Sequence, residues 1–334
     1  MKESDIRKRD VLDRYLALVR QDVDILFDQK GFVRTACPAC GEAEATLRFR
    51  KNNFSYVMCS ACATLYANPR PDFDMLEKFY ASSPSSEFWV KEFFMPVAEV
   101  RRDKIFRPRA EYASSIVRGR KDLLIGDIGA GFGLFLEELR KILPDHRYVA
   151  IEPSPDMAEI CRKKNLEVKE SCVEMISEMK CSFDFLTAFE LLEHLFDPRV
   201  FMVKTFELLK PGGFFLFTTL NANGFDILLL DEKSKSVTPP HHINFFTLES
   251  VQKLAELVGF EIVKAETPGQ LDWDIVEGAI KDDGVVLGRF WDHIARNASV
   301  DCKKQLQAWI ADNKLSSHMR ILARKPVLEE VQGV

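Results

Sequence analysis

The chain has 334 residues, 46% hydrophobic and 29% charged, enough for one large core plus a small accessory module and unlike a disordered or fibrous sequence. Its formal net charge of -5 argues against a surface built chiefly to neutralise nucleic-acid phosphates. No stretch approaches the roughly 20 apolar residues that cross a bilayer, and no apolar segment follows the charged opening 1–10, so a cytoplasmic protein with no membrane partner is expected.

In chain order, residues 1–31 read as an N-terminal helix: Leu12, Tyr15, Leu16, Val19, Val23, Leu26 and Phe27 recur at helical spacing, and Gly31 supplies a stop. Residues 32–70 are short of helical pattern and form a loop-and-hairpin metal module, closed by Asn68-Pro69-Arg70-Pro71. Residues 71–121 read as a helical connector. From 122 to 330, strand-like runs at 123–127, 148–151, 183–188 and 213–219 alternate with helical stretches, the pattern of a parallel sheet covered by helices on both faces. Further strand candidates lie at 260–265 and 318–324, separated by a helical insertion at 267–317 that holds Trp273, Trp291 and Trp309. Those tryptophans suit the core of an appendage that also forms a partial lid, and the acidic run Asp272, Asp274, Glu277, Asp282 and Asp283 is read as a solvated face.

Cys37-Pro-Ala-Cys40 and Cys59-Ser-Ala-Cys62 are two short turns that each present a pair of sulfurs, the spacing of a four-thiolate zinc site. With every position filled by protein, such an ion stabilises a module too small to hold a core and activates no water, so the expected zinc is structural. The other four cysteines, Cys161, Cys172, Cys181 and Cys302, are scattered, which suits free thiols better than a disulfide framework.

Leu123-Leu-Ile-Gly-Asp127-Ile-Gly129-Ala-Gly131-Phe-Gly133 is a strand running through a glycine turn into a helix, and Glu152 closes the next strand, where a carboxylate can accept from both ribose hydroxyls. Together with Glu190-Leu-Leu-Glu193-His194 after the fourth strand and Leu209-Lys-Pro211-Gly212-Gly213 before the fifth, this resembles the class I S-adenosylmethionine-dependent methyltransferases over residues 122–265. The resemblance implies a Rossmann-like α/β fold with a seven-stranded, mostly parallel sheet. It also implies that Asp127, Gly129, Gly131 and Gly133 meet the methionine end of S-adenosylmethionine, Glu152 the ribose, and Phe189 and Glu190 the border of the cofactor. The position where this class often carries an acid facing the adenine amine is Ser171, followed by Cys172. A nicotinamide dinucleotide enzyme shares the glycine turn and the acid, but has no use for Asp127 or for the Lys-Pro-Gly-Gly turn.

Methyl transfer needs an aligned nucleophile and, for a hydroxyl or amine, a base; histidine titrates in the right range. Pro239-Pro-His241-His242-Ile-Asn244-Phe-Phe246 is similar to the histidine-bearing loop of zinc-module sugar C-methyltransferases. Their Glu-His pair falls on His241-His242, with histidine standing where glutamate is usual; His194 and the segment Phe79-Tyr80 correspond to further site residues. His242, His241, His194 and Tyr80 are thus the candidate catalytic residues. The chain lacks room for those enzymes' extra C-terminal domain, which points to O- or N-methylation of a related sugar, nucleotide-linked sugar, natural-product or polysaccharide intermediate. Two alternatives remain: an RNA methyltransferase gripping RNA with its zinc module, disfavoured by the charge and by the lack of a basic, aromatic-interleaved patch between Cys40 and Cys59, and a cofactor-binding scaffold without turnover. Monomer and homodimer are both open.

Overall fold

The computed structural model describes residues 2–327, so residues 328–330 of the expected catalytic domain lie outside the described residues. In chain order the strands are β1 (Ala45–Lys51), β2 (Phe54–Cys59), β3 (Leu65–Ala67), β4 (Leu124–Ile128), β5 (Arg147–Ile151), β6 (Glu167–Lys169), β7 (Phe183–Phe189), β8 (Leu209–Leu220), β9 (Asn244–Phe245), β10 (Glu261–Glu266) and β11 (His318–Arg324). Seven build one sheet in the order β10-β11-β8-β7-β4-β5-β6, with β11 antiparallel to both its neighbours and the central pairs parallel. This is the expected Rossmann-like sheet.

Its central strands are apolar on both faces because both are covered. Phe183, Phe185, Leu186 and Ala188 of β7 and Phe215, Leu216 and Phe217 of β8 have no solvent exposure. One face carries the helices Pro198–Leu208 and Leu248–Val258 against Ile128, Val149 and Phe217, and the other carries Arg107–Ile116, Leu134–Ile142 and Pro155–Lys163 against Ile125, Ala150 and Phe185. Local chemistry sets the helix starts: Ser154, Asp197 and Thr247 each accept a first-turn backbone N–H, and Pro155 and Pro198 occupy positions whose N–H would have no helical partner.

The N-terminal helix, Arg9–Leu26, buries the expected stripe but stops five residues before Gly31, because Phe27 turns extended and a short 3₁₀ turn follows. The Lys-Pro-Gly-Gly segment is not a free turn ahead of the fifth strand: β8 already includes Leu209, and Gly212 and Gly213 exchange hydrogen bonds with Lys325. Among the described residues no helix is long and apolar enough to cross a membrane.

The second sheet, β1-β2-β3-β9, is antiparallel throughout, and three of its strands come from residues 45–67. The fourth does not. β9 arrives from the loop after β8, pairing Asn244 with Tyr66 and Phe245 with Leu65, while Phe246 bridges back to Asn221 at the end of β8. Cys37, Cys59 and Tyr66 belong to the same buried cluster as Ile128, Phe246 and Val251, so the module is continuous with the main core.

The insertion forms three helices, Asp272–Lys281, Arg289–Asn297 and Val300–Asp312. Trp273 and Trp291 pack on Phe225, whereas Trp309 is exposed. The acidic run is the solvated face expected of it only at its end, where Asp282 and Asp283 are exposed. Asp272 is buried, accepting from Ser316 Oγ and Ser317 N–H, and Asp282 and Asp283 pair with Arg9 of the N-terminal helix.

Candidate active site

The glycine turn after β4 is shaped by backbone that only glycine adopts freely: Gly129, Gly131 and Gly133 all have positive φ, at 71°, 54° and 69°. Gly133 caps the helix Leu134–Ile142, and a Cβ there would meet Leu166 and Cys161 at 2.8 and 3.0 Å. At Gly131 a Cβ would meet nothing within 4 Å, so this glycine faces an open crevice. Glu152 braces the turn, its Oε2 accepting from Gly131 N–H at 2.7 Å and its Oε1 from Ser154 N–H at 2.9 Å. Each oxygen keeps a further lone pair, which fits a carboxylate that receives a ribose diol.

Asp127, 3% exposed, accepts from Thr187 Oγ1 at 2.6 Å through Oδ1. Among the described residues its Oδ2 has no hydrogen-bond partner, leaving an acceptor for a ligand ammonium. Burial pushes this carboxyl up to about 7, against the pull of Thr187 and Arg109. Phe189 stands edge-on to Phe135 and carries the Arg109 guanidinium 4.8 Å from its ring centre. Ser171 and Cys172 follow β6; Ser171 Oγ donates to the Cys172 carbonyl, and burial raises the Cys172 thiol.

Glu190, expected at the border of the cofactor, is tied to its neighbours. Its backbone is left-handed, φ 54°, and its N–H donates to Thr218. Its Oε1 accepts from Arg109 at 3.0 Å and from His318 Nε2 at 2.6 Å. Burial opposes its ionisation, but His318, Arg109 and Thr218 together hold it well below the usual carboxylate range. Arg109 and His318 carry no local sequence signal, since they reach Glu190 from 81 and 128 residues away in the chain.

The histidines meet on the other side of Glu190. Ile243 N–H donates to the Glu193 carbonyl at 2.9 Å, and Asn244 Nδ2 donates to the carbonyls of Leu192 and Leu195, fastening the 241–246 loop onto the 3₁₀ turn Leu192–His194. As a result the His194 and His242 rings lie 4.8 Å apart. His242 Nδ1 sits 2.6 Å from the Ser236 carbonyl, so Nδ1 carries the proton and Nε2 keeps its lone pair. Burial lowers His242, leaving it neutral near pH 7, and lowers His194 to about 3. Tyr80 Oη lies 3.1 Å from His194 Nδ1 and donates to the His241 carbonyl.

His241 does not join this pair. Its imidazole is 7% exposed, packed among Tyr15, Phe79 and Tyr80, and its Nε2 is sealed from solvent without a partner. The side chain acts as part of an aromatic core, and His242 is the less buried member of the pair, set against His194.

Two groups of side chains converge closely enough to hold a metal. Cys37, Cys40, Cys59 and Cys62 bring all four sulfurs within 4.8 Å of one another, with Cys37–Cys62 at 3.5 Å and Cys40–Cys59 at 3.6 Å. Sulfurs about 2.3 Å from a tetrahedral zinc would be about 3.8 Å apart, so the donor set and its spacing fit that ion. Both knuckles close alike: Gly41 N–H donates to Cys37 O and Ala63 N–H to Cys59 O, each of these residues with positive φ. Glu193, His194 and His242 also place one ligand atom each within 4.8 Å, a spacing a divalent cation would bridge.

Residues 100–265 match the family described as a methyltransferase domain. The ubiquinone biosynthesis O-methyltransferase of Methylocella silvestris is 32% identical over 120 residues, 34% of this chain and 45% of its own length. That of Xanthomonas campestris pv. campestris is 32% identical over 102 residues, 28% of this chain and 42% of its own. The chain thus spans less than half the length of these curated relatives. A chain from the complex between the Haloferax volcanii Trm112 methyltransferase activator and a methyltransferase shares the fold, with a TM-score of 0.51, 14% identity and coverage of 71% of this chain and 96% of that one. The sheet order, the glycine crevice with its braced acid and these matches together place a class I S-adenosylmethionine-dependent methyltransferase domain in this chain.

Proposed function

We propose that the chain methylates a hydroxyl of a small molecule, with Asp127, Gly129, Gly131, Gly133 and Glu152 holding S-adenosylmethionine and His242 acting as the base. The single observation that carries the assignment of the base is the 2.6 Å contact of His242 Nδ1 with the Ser236 carbonyl, which leaves the lone pair on Nε2. When bound, S-adenosylmethionine supplies a methyl on a sulfonium sulfur that leaves as a neutral thioether. The residues of the chain then have two tasks: to align the acceptor oxygen with that methyl and to receive its proton. His242 Nε2 would receive the proton that the acceptor hydroxyl loses when its oxygen takes the methyl. Neutral at rest because it is buried, His242 is ready to accept it. Tyr80 and His194 line the same cleft and orient the acceptor through the Oη–Nδ1 pair.

An oxygen acceptor is supported by the O-methyltransferase names of the relatives. A sugar, nucleotide-linked sugar or natural-product intermediate is supported by the resemblance of the 239–246 loop and of the four-cysteine module to those of sugar methyltransferases. The four thiolates take one structural zinc.

Calorimetric titration with S-adenosylhomocysteine and a screen of tritiated cofactor against nucleotide sugars, metabolite extract and RNA test this reading. The expected result is tight S-adenosylhomocysteine binding, label transferred to a small molecule, and label lost in His242→Ala while binding persists. Stabilisation by NAD alone, or label on RNA, would overturn it. Repeating the assay in EDTA, with cysteine-bound zinc verified as retained, separates base from metal: activity that vanishes and returns with magnesium assigns Glu193, His194 and His242 to an ion.

A further inference from the structure

Asp226, in the short helix Phe225–Leu230, has no solvent exposure, and its side-chain partners among the described residues are all serine hydroxyls. Ser234 Oγ donates to Asp226 Oδ2 at 2.8 Å, Ser236 Oγ donates to the same oxygen at 3.1 Å, and Ser317 Oγ donates to Oδ1. A carboxylate held away from water is costly unless hydrogen bonds compensate it. Burial accordingly pushes this carboxyl up, and Ser317, Ser234 and Ser236 oppose the rise. Ser234 and Ser236 belong to the segment that leads into the histidine loop.

That segment ends on the His242 ring. An ionised carboxylate only accepts, so the Ser234 hydroxyl points its proton at Asp226 and turns a lone pair to the Ser236 N–H, 3.1 Å away. The next peptide unit is planar and fixed from both sides. Its Val237 N–H donates to the Ser234 carbonyl at 3.1 Å, and its Ser236 carbonyl accepts from His242 Nδ1 at 2.6 Å. Lys51 of β1 adds a bond from Nζ to the Ser234 carbonyl at 2.7 Å. A second buried carboxylate, Asp272, lies one residue further along the network: it accepts from Ser316, Ser317 N–H and Gln307, and from neither Ser234 nor Ser236.

We infer that Asp226 is a positioning residue for His242: by holding Ser234 and Ser236 it aims the Ser236 carbonyl at Nδ1 and so keeps the lone pair on Nε2. Asp226 does not touch the imidazole, and its effect passes through the serine turn. The two nitrogens of a neutral imidazole compete for one proton, and the hydrogen bond made by one of them decides which keeps it. If the carbonyl loosens, the proton is free to move to Nε2, and a histidine protonated there cannot receive another at that atom. The consequence for methyl transfer rests on the reading of His242 as the base, whereas the tautomer itself does not.

Heteronuclear NMR of the ring nitrogens in the full chain reads the tautomer directly, with His242 assigned from the signals missing in His242→Ala. Wild-type protein, Ser234→Ala, Asp226→Asn and Asp272→Asn are compared, each also titrated with S-adenosylhomocysteine and assayed for tritium transfer into metabolite extract. The wild type should hold its proton on Nδ1. Ser234→Ala, which deletes the link between Asp226 and the Ser236 N–H, should show the Nε2–H form and lose about 10- to 100-fold in transfer, a part of the roughly 100- to 10,000-fold that a placed base contributes. Asp226→Asn keeps one oxygen to accept from Ser234 and Ser236, and should fall between. S-adenosylhomocysteine affinity should hold throughout, and Asp272→Asn should lower the urea midpoint without moving the tautomer. An unchanged tautomer in Ser234→Ala and Asp226→Asn overturns the inference, as does an equal shift in Asp272→Asn, which would mean that the buried carboxylates act on the fold as a whole. A shifted tautomer with transfer undiminished, in these variants and in His242→Ala alike, supports the positioning role and overturns the base reading instead.

Discussion

Replacing Tyr56 by phenylalanine isolates what the cysteine module does for the cleft. Tyr56 has no solvent exposure, and its hydroxyl donates to the His242 carbonyl at 2.6 Å. The phenyl ring would keep its neighbours Phe49 and Phe245, at 5.2 and 6.0 Å, so the change removes one hydrogen bond and little packing. A carbonyl left unpaired in such a place costs about 1–3 kcal/mol, and if the penalty falls on the docked loop alone its opening becomes about 5- to 150-fold more frequent. Amide hydrogen exchange reads this at Ile243 and Phe246, whose N–H groups bond the carbonyls of Glu193 and Leu220. Protection there should fall by that factor while β4 and β7 keep theirs, and transfer of label should fall with S-adenosylhomocysteine affinity unchanged. Equal loss across β4 and β7 would mean that the hydroxyl supports the whole fold and does not specifically hold the histidine loop.

Cys59→Ser should release about one zinc per chain, measured by atomic emission, and loosen residues 32–70; an unchanged metal content would refute the four-thiolate site. Asp127 has a folded pKa raised to about 7, so stability is lost as pH rises from its unfolded value through that point, and above it the full penalty for burying the charge is present. Asp127→Asn, still able to accept from Thr187, should therefore be more stable than wild type at about pH 8, by on the order of 1–3 kcal/mol in urea titrations, yet bind S-adenosylhomocysteine poorly. His241 is depressed far below 6.5, so the unfolded chain binds its proton first and stability falls as pH drops below that value, by at most about 1.4 kcal/mol per pH unit. His241→Phe should flatten this slope between about pH 5 and 6.5 without abolishing methyl transfer, and a loss of transfer at full stability would return His241 to the chemistry.

The fold was legible wherever local pattern and burial agree. The alternating runs that became β4, β5, β7 and β8 are apolar because both faces of the sheet are covered, and the glycines of the turn are where the backbone takes positive φ. What the sequence concealed is long-range. Nothing near Asn244 announces that two residues after the histidine pair will complete a sheet begun 200 residues earlier. Nothing near Arg109 or His318 announces a shared carboxylate at Glu190. His241 and His242 look equivalent as letters, and only the direction of the loop sends one ring among Tyr15 and Phe79 and the other against His194. The acidic run misled at Asp272 for the same reason, because that carboxylate is buried on the backbone of Ser317, 45 residues on.

The position of β9 bears on what the proposed zinc at the four cysteines would do for the rest of the chain. A structural ion needs only to close its own knuckles, yet here Cys37 and Cys59 share a core with Ile128 at the end of the cofactor strand, and Thr247 Oγ1 donates to the Cys62 carbonyl. The strand that the module recruits begins two residues after His242 and ends one residue before the Phe246–Asn221 bridge to β8. The loop bearing His242 is therefore anchored on one side by the main sheet and on the other by the sheet beside the four cysteines. Loosening the thiolate site removes one anchor and leaves the cofactor crevice intact, because Gly131, Glu152 and Asp127 are braced within the main sheet alone. Metal loss should accordingly lower turnover more than cofactor affinity. A Cys59→Ser protein that lost both in proportion would show that the module supports the domain as a whole and has no particular hold on His242.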